Sequence, residues 1–365
     1  MKRKIALLLA LCLILCACGQ KTPDPTPTQP PTTESTTAPT TEATQEPTEA
    51  PTVPETKPPV LYRHPLTGAP LDAPWNGQAV AVVVNNLKAA MPQKGISQAD
   101  IFYEIEVEGD ITRCLAVFTD LSNVGDIGPV RSARTYFNSI AVSYDAPLIH
   151  CGGSPGLALA GRYGESYDTI AKWEHINEDS AHFYRDRDRY NSGYAWEHTL
   201  FTTGELLQKA LNVYKYNTPK EQTFNLQFDD EASLKGENAN EITIQFKSGK
   251  KTIVTYDAAT EQYKVNIHGT EHIDGNTNQP VTFQNVIVIY TKQWYADSSG
   301  HKFYDTIGSG EGYAAMGGKI VPITWKRDGL RTSYVYSMVD GTPLTLDVGT
   351  TYIAMVGIKN PIAYK

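Results

Sequence analysis

The eighteen residues 101-IFYEIEVEGDITRCLAVF-118 decide the fold. Ile101, Tyr103, Ile105 and Val107 alternate with Phe102, Glu104 and Glu106, the period-two pattern of a strand with two different faces. Gly109-Asp110 supplies a two-residue turn with glycine first, the type II′ signal, and Ile111–Phe118 is a second strand. A loop of that length sets Glu108 opposite Ile111, Glu106 opposite Arg113 and Glu104 opposite Leu115. The expectation is a hairpin carrying three carboxylates.

Upstream, Ala79–Val84 is a short continuous apolar run ended by Asn85-Asn86, as in a strand buried on both faces. Downstream, Pro147–Cys151 has the same look. Thr202 and Glu205 form a Thr-x-x-Glu capping box ahead of Leu206, Leu207, Ala210, Leu211 and Tyr214 at helical spacing. From about residue 220 the texture changes. Thr223–Phe228, Ile242–Phe246, Thr252–Asp257, Tyr263–His268, Val286–Lys292, Ser333–Ser337 and Thr351–Val356 all have strand character, separated by turn signals. The fold class expected is a mixed α/β N-terminal domain over residues 60–220, followed by a mostly antiparallel β domain over 221–365.

Ahead of these domains the chain has a different chemistry. Lys2-Arg3-Lys4 and the apolar run Ile5–Leu15 form a secretory signal, residues 1–17, too short for the ~20 residues that span a bilayer. Leu15-Cys16-Ala17-Cys18 is a lipobox pattern, which makes Cys18 the lipidated N-terminus after cleavage. Two acyl chains give a stable anchor in the cell membrane, with the protein on its extracytoplasmic face. Residues 19–59 contain 11 Pro and 13 Thr and no aromatic residue. Such a segment buries too little to order itself, so residues 18–59 are expected to be a disordered tether.

Lys and Arg total 32 against 40 Asp and Glu, a net charge of −8, and three of those cations lie in the leader. That balance disfavours nucleic-acid binding, which depends on neutralising phosphates. Cys114 and Cys151 are the two thiols of the folded body, more in keeping with buried thiols than with a disulfide. His175 and His182 are not at i,i+4 spacing, and no zinc or P-loop pattern occurs, so neither a metal nor a cofactor is expected.

Several short motifs occur in a fixed order: Val82–Asn86, Gly95–Asp100, Tyr103-Glu104, Val107-Glu108-Gly109, Ile111-Thr112-Arg113, Gly128–Arg134 and Gly152–Pro155. Together they resemble the YerB-type lipoproteins of Gram-positive bacteria, a family of unknown function (DUF3048). The resemblance implies an N-terminal and a smaller C-terminal domain and an envelope address, and leaves activity open.

Candidate site residues cluster in the same region. Ala133, Phe137, Ile140, Ala141 and Tyr144 follow a 3.6 period, so a helix is expected from about Arg131, with Arg131, Arg134 and Asn138 on one face. Two cations in a first helical turn oppose the macrodipole and call for negative charge nearby. That charge is either a ligand anion or the carboxylates of the Glu104–Glu108 strand, with Arg113 beside them. Gly152-Gly153-Ser154-Pro155-Gly156 matches G-x-S-x-G, but Pro155 has no N–H to offer an oxyanion hole. Ser154 therefore suits a helix cap or a phosphate-cradling hydroxyl better than a nucleophile. His150 stands at a strand end, where α/β proteins place sites, and His198 lies in the aromatic-rich stretch 167–201. Two functions remain open, beside a purely structural or protein-partner role. One is a binding module for an anionic or glycan ligand at Arg113, Arg131, Arg134, Gly152, Gly153, Ser154 and His198. The other is a wall glycan or phosphodiester hydrolase or transferase using Glu106, Glu108 and His150 as acid/base groups.

Overall fold

In the computed structural model, residues 60–153, 174–217, 224–247, 249–295, 298 and 300–365 are described. Cys18, the Thr/Pro segment, Ser154, the run from Leu157 to Tyr163 and Thr218–Gln222 lie outside them.

The walk along the chain begins with β1 (Val80–Asn85), β2 (Ile101–Glu106), β3 (Thr112–Phe118) and α1 (Thr135–Ser143). Next come β4 (Leu148–His150), β5 (His175–Asn177), α2 (Arg187–Asn191) and α3 (Gly204–Tyr214). Strands then dominate: β6 (Glu237–Asn238), β7 (Glu241–Lys247), β8 (Lys250–Asp257), β9 (Gln262–Ile267) and β10 (Asn285–Thr291). The last are β11 (Gly308–Met316), β12 (Lys319–Arg327), β13 (Val335–Met338), β14 (Thr351–Gly357) and β15 (Ile362–Tyr364). Mixed α/β texture gives way to strands, as the sequence implies.

One eleven-stranded sheet runs through both halves, in the order β6-β12-β11-β10-β14-β2-β3-β1-β4-β5, with β13 paired to β12. β14 lies parallel to both β10 and β2, so a strand from near the end of the chain joins the two halves. A six-stranded sheet holds β9-β8-β7-β15 and two short strands, Thr270–Glu271 and Thr282–Phe283. It covers one face of the large sheet, where Val82, Val84, Phe102 and Cys114 meet Ile244, Val254, Val265 and Phe283. On the other face, Val83, Tyr103 and Leu115 pack with Phe137 and Ile140 of α1 and with Tyr334 and Tyr336.

Three sequence expectations change. The β2–β3 turn has three residues, Glu108-Gly109-Asp110, closed by Val107 N–H donating to the Ile111 carbonyl at 2.8 Å. Gly109 and Asp110 both have positive φ, 75° and 60°, which lets the extra residue fit. The register moves by one: Glu104 faces Cys114, Ile105 faces Arg113 and Glu106 faces Thr112. Side chains alternate, so Arg113 lies on the opposite face from Glu104 and Glu106.

The second change concerns Arg131. The helix starts at Thr135, and Arg134 caps it in extended conformation. Arg131 N–H donates to the Val83 carbonyl and Val130 N–H to that of Leu200, so this segment spends its backbone groups on neighbouring strands. Arg131, Arg134 and Asn138 share no helix face. The third change is the cap of α3: Thr203, not Thr202, accepts from Leu206 N–H at 3.1 Å. Thr202 is a strand residue whose hydroxyl donates to the His182 carbonyl. Cys114 and Cys151 are free thiols.

Candidate functional site

The arginine segment and the glycine segment lie side by side. Cys151 N–H donates to the Arg131 carbonyl at 3.1 Å and Ala133 N–H to that of Gly152 at 3.0 Å, with Ala133 and Gly153 in a parallel bridge. Gly152 has φ +70°, a conformation glycine adopts without strain, and its N–H donates to Asn177 Oδ1 at 2.7 Å. The structure thus brings Arg131, Arg134, Arg113, Gly152 and Gly153 into one neighbourhood, as their motifs suggest.

The three guanidiniums are not equivalent. Arg134 Nε donates to Glu108 Oε2 at 3.0 Å, its other nitrogens reach Glu108 Oε1 and the Ala133 carbonyl, and it is 6 % exposed. Arg113 donates to the Ser132 carbonyl at 2.7 Å and stands 3.8 Å from Glu108. Burial pulls its pKa down to about 10. Among the described residues, the charged partner of Arg131 is the half-exposed Glu197, at 3.2 Å, and its buried Nε has no hydrogen-bond partner. Arg134 is a structural partner of the turn. Arg131 has bonding capacity left over.

The two histidines here are held neutral. His150 Nδ1 is 2.7 Å from the Gly152 carbonyl, which can only accept, so Nδ1 carries the proton and Nε2 faces His175 Nδ1 at 3.1 Å. Burial lowers the His150 pKa to about 4. Its acceptor nitrogen is already engaged by a protein group. His198 Nδ1 accepts from Asn85 Nδ2 at 3.0 Å, the amide being oriented by Leu87 N–H on Asn85 Oδ1. The His198 proton therefore sits on Nε2, 3.8 Å from Glu197, and burial lowers this pKa as well.

The other carboxylates go elsewhere. Glu104 is fully buried and accepts from Thr112, Tyr352, Thr252 and Asn86 at 2.6–3.1 Å, with Lys250 at 3.2 Å. Burial alone would raise its pKa, but Lys250 and the hydroxyls more than offset that and hold it below the usual value. It pins β2 to β8 and β14. Glu106, also on the six-stranded-sheet side, meets Lys302 at 2.5 Å in a cavity of about 470 Å³. Burial raises its pKa. β2 and β4 are three strand spacings apart, ~14 Å, so Glu106 and His150 do not converge, and Glu108 turns to the arginines. The acid/base set Glu106, Glu108 and His150 is not assembled around one point.

The sequence reading missed Glu197, Asn85 and Lys302. Glu197-His198 adjacency was the only local signal for the first. Lys302 is far from Glu106 in sequence, and nothing in its own surroundings marks it.

Comparison with known proteins agrees with this architecture. Residues 66–217 match the model described as "Protein of unknown function (DUF3048) N-terminal domain", and residues 242–353 match that of its C-terminal domain. A protein of Bacillus subtilis (strain 168) named "Putative lipoprotein YerB" is 28 % identical over 312 residues, 80 % of this chain and 88 % of its own length. The crystal structure of YerB from Bacillus subtilis aligns with a TM-score of 0.70 at 27 % identity, covering 82 % of this chain and 99 % of that one. With both family models matched in order over most of the folded body, the chain belongs to the DUF3048 family.

Proposed function

We propose that the protein is an extracytoplasmic lipoprotein, anchored through Cys18, whose folded body binds an anionic ligand at Arg131. The observation that carries the reading is the Arg131 side chain. Among the described residues its buried Nε has no partner, and the carboxylate beside it, Glu197, is half-exposed and displaceable. A buried donor without an acceptor is costly, and an anion with several oxygens would complete it. Among the described residues, Arg113, Arg131 and Arg134 stand with Glu108 and Glu197, and Arg185 pairs with Glu178 beside them, so these groups are locally basic on an acidic protein. His198 is neutral, and its Nε2–H is left to donate without adding charge, whereas both ring nitrogens of His150 are taken by Gly152 and His175. A phosphate-bearing wall component has the matching chemistry. No helix among the described residues is long and apolar enough to cross a membrane.

Inorganic phosphate serves as the probe. The melting temperature of the parent should rise with phosphate beyond an equal ionic strength of chloride, by ~1.4 kcal/mol of stability at ten times Kd. Arg131→Gln should melt like the parent without phosphate and show no increment with it. Equal melting of parent and variant across the phosphate series would defeat the proposal. For the anchor, Cys18→Ala should abolish labelling by a palmitate analogue.

A further inference from the structure

We propose that the cavity floored by Glu106 is a second site, one that binds a neutral saccharide, with sugar hydroxyls donating to the Glu106 carboxylate and a sugar face against Trp294. Glu106 is 1 % exposed, yet among the described residues nothing donates to its Oε2, and Oε1 meets only Lys302. Lys302 stands 2.5 Å from Oε1 and balances the charge, which leaves Oε2 without a donor. Buried carboxylates in proteins are almost always given donors. Glu104, two residues earlier on the same face, has four. Glu106 instead lines a cavity.

The walls of that space are suited to a polyhydroxylated ring. The cavity, about 470 Å³, is of a size that takes small organic ligands. Gln245, Gln293 and Asn360 line it with amides, and Gln293 Oε1 is buried with no donor of its own. Gln293 packs over Gly357, where a Cβ would sit 2.1 Å from the Gln293 amide nitrogen. Trp294 is fixed by Phe303, stacked at 5.9 Å between centroids and 17° between planes. An immobilised indole beside acceptor and amide groups is the arrangement that recognises a sugar, apolar on its face and polar at its rim.

Charge narrows the ligand class. Lys302 offsets Glu106, and Lys247 at the rim is met by Asp110, so the cavity is close to neutral. An anion would be repelled by Glu106 and a cation by Lys302. A purely apolar ligand would leave the carboxylate unfilled. This inference stands apart from the anion reading, on the other face of β2 and with other residues.

The test is tryptophan fluorescence of the full-length protein titrated with chitotriose, cellotriose and maltotriose. At least one trisaccharide should give a saturable change. Glu106→Gln should weaken it about tenfold or more, since a neutral acceptor is roughly half as strong. Trp294→Ala should remove both the signal and saccharide-induced stabilisation in a thermal melt. Should Glu106→Gln not fold, Trp294→Ala decides alone. Arg131→Gln should leave saccharide binding intact, which keeps this result separate from that of the phosphate experiment. The inference is overturned if no trisaccharide saturates at tens of millimolar, if binding survives the Trp294 change, or if phosphate competes for it.

Discussion

At the scale of single residues, the arginines carry opposite expectations. Arg134 is buried against Glu108, so Arg134→Gln leaves a carboxylate short of its counter-charge. Glu108 keeps some water contact, which places the cost at about 2–3 kcal/mol, at or below the low end of fully buried pairs. Arg131→Gln should cost less than ~1 kcal/mol, because its ion pair with Glu197 is half-exposed. Urea unfolding of the two variants separates them, and equal losses would contradict the division of roles. The motif grouping of these arginines with the glycines was legible in the sequence. Their conformation was not, because the hydrogen bonds of Val130 and Arg131 go to Leu200 and Val83, partners outside any local period.

Histidines supply a second residue-scale expectation. Burial takes the pKa of both His150 and His272 to about 4. Below the ordinary value near 6.5, the unfolded chain gains protons that the folded chain refuses. Stability is therefore full above pH 6.5 and declines as pH falls toward 4, by ~2 kcal/mol per histidine between pH 7 and 5. His150→Asn should flatten that decline by about one histidine's share in urea unfolding at the two pH values. An unchanged slope would mean that His150 is protonated in the folded state.

Among elements, strands with one wet face were the easiest to read. In β7 buried residues alternate strictly with half-exposed ones, and its period-two sequence announces this. The paired nine-residue strands β11 and β12 went unread because glycines punctuate the first of them. Those glycines answer to close approach. A Cβ on Gly312 would lie 2.3 Å from the Val288 carbonyl, and one on Gly310 would lie 2.8 Å from that of Tyr290. Gly317 and Gly318 turn the pair, both at positive φ. The helix cap gives a sharper test of the one-residue correction. Thr203→Ala should cost about 1 kcal/mol, whereas Glu205→Ala should leave stability unchanged, since Glu205 pairs with Lys209 on the helix surface. The reverse order would restore the capping box.

For the whole molecule, the change of texture near residue 220 was visible, but the sheet that crosses it was not. Pairing of β14 with β2 joins residues 250 apart, and the two strands carry no mutual signal in sequence. The buried Glu104–Lys250 pair and the Tyr352 hydroxyl tie the halves again. Limited proteolysis should cut first ahead of Val60 and then near Thr218–Gln222. The two fragments from the later cut should nonetheless elute together in size-exclusion chromatography without denaturant. Separation into two folded pieces would show that the shared sheet is dispensable.

The position of β14 also bears on how the chain is made. A polypeptide emerges from the ribosome, or from a secretion channel, in order from its N-terminus. The strand that occupies the middle of the sheet comes out after the neighbours on both sides of it. Until Thr351–Gly357 arrives, β2 and β10 each present an open row of backbone donors and acceptors. Any product stalled or clipped before that point keeps those edges permanently, and they are long, apolar and ready to pair with another copy. Completion of synthesis thus also closes the sheet, and a chain ended before Thr351 leaves two strand edges able to pair with another copy.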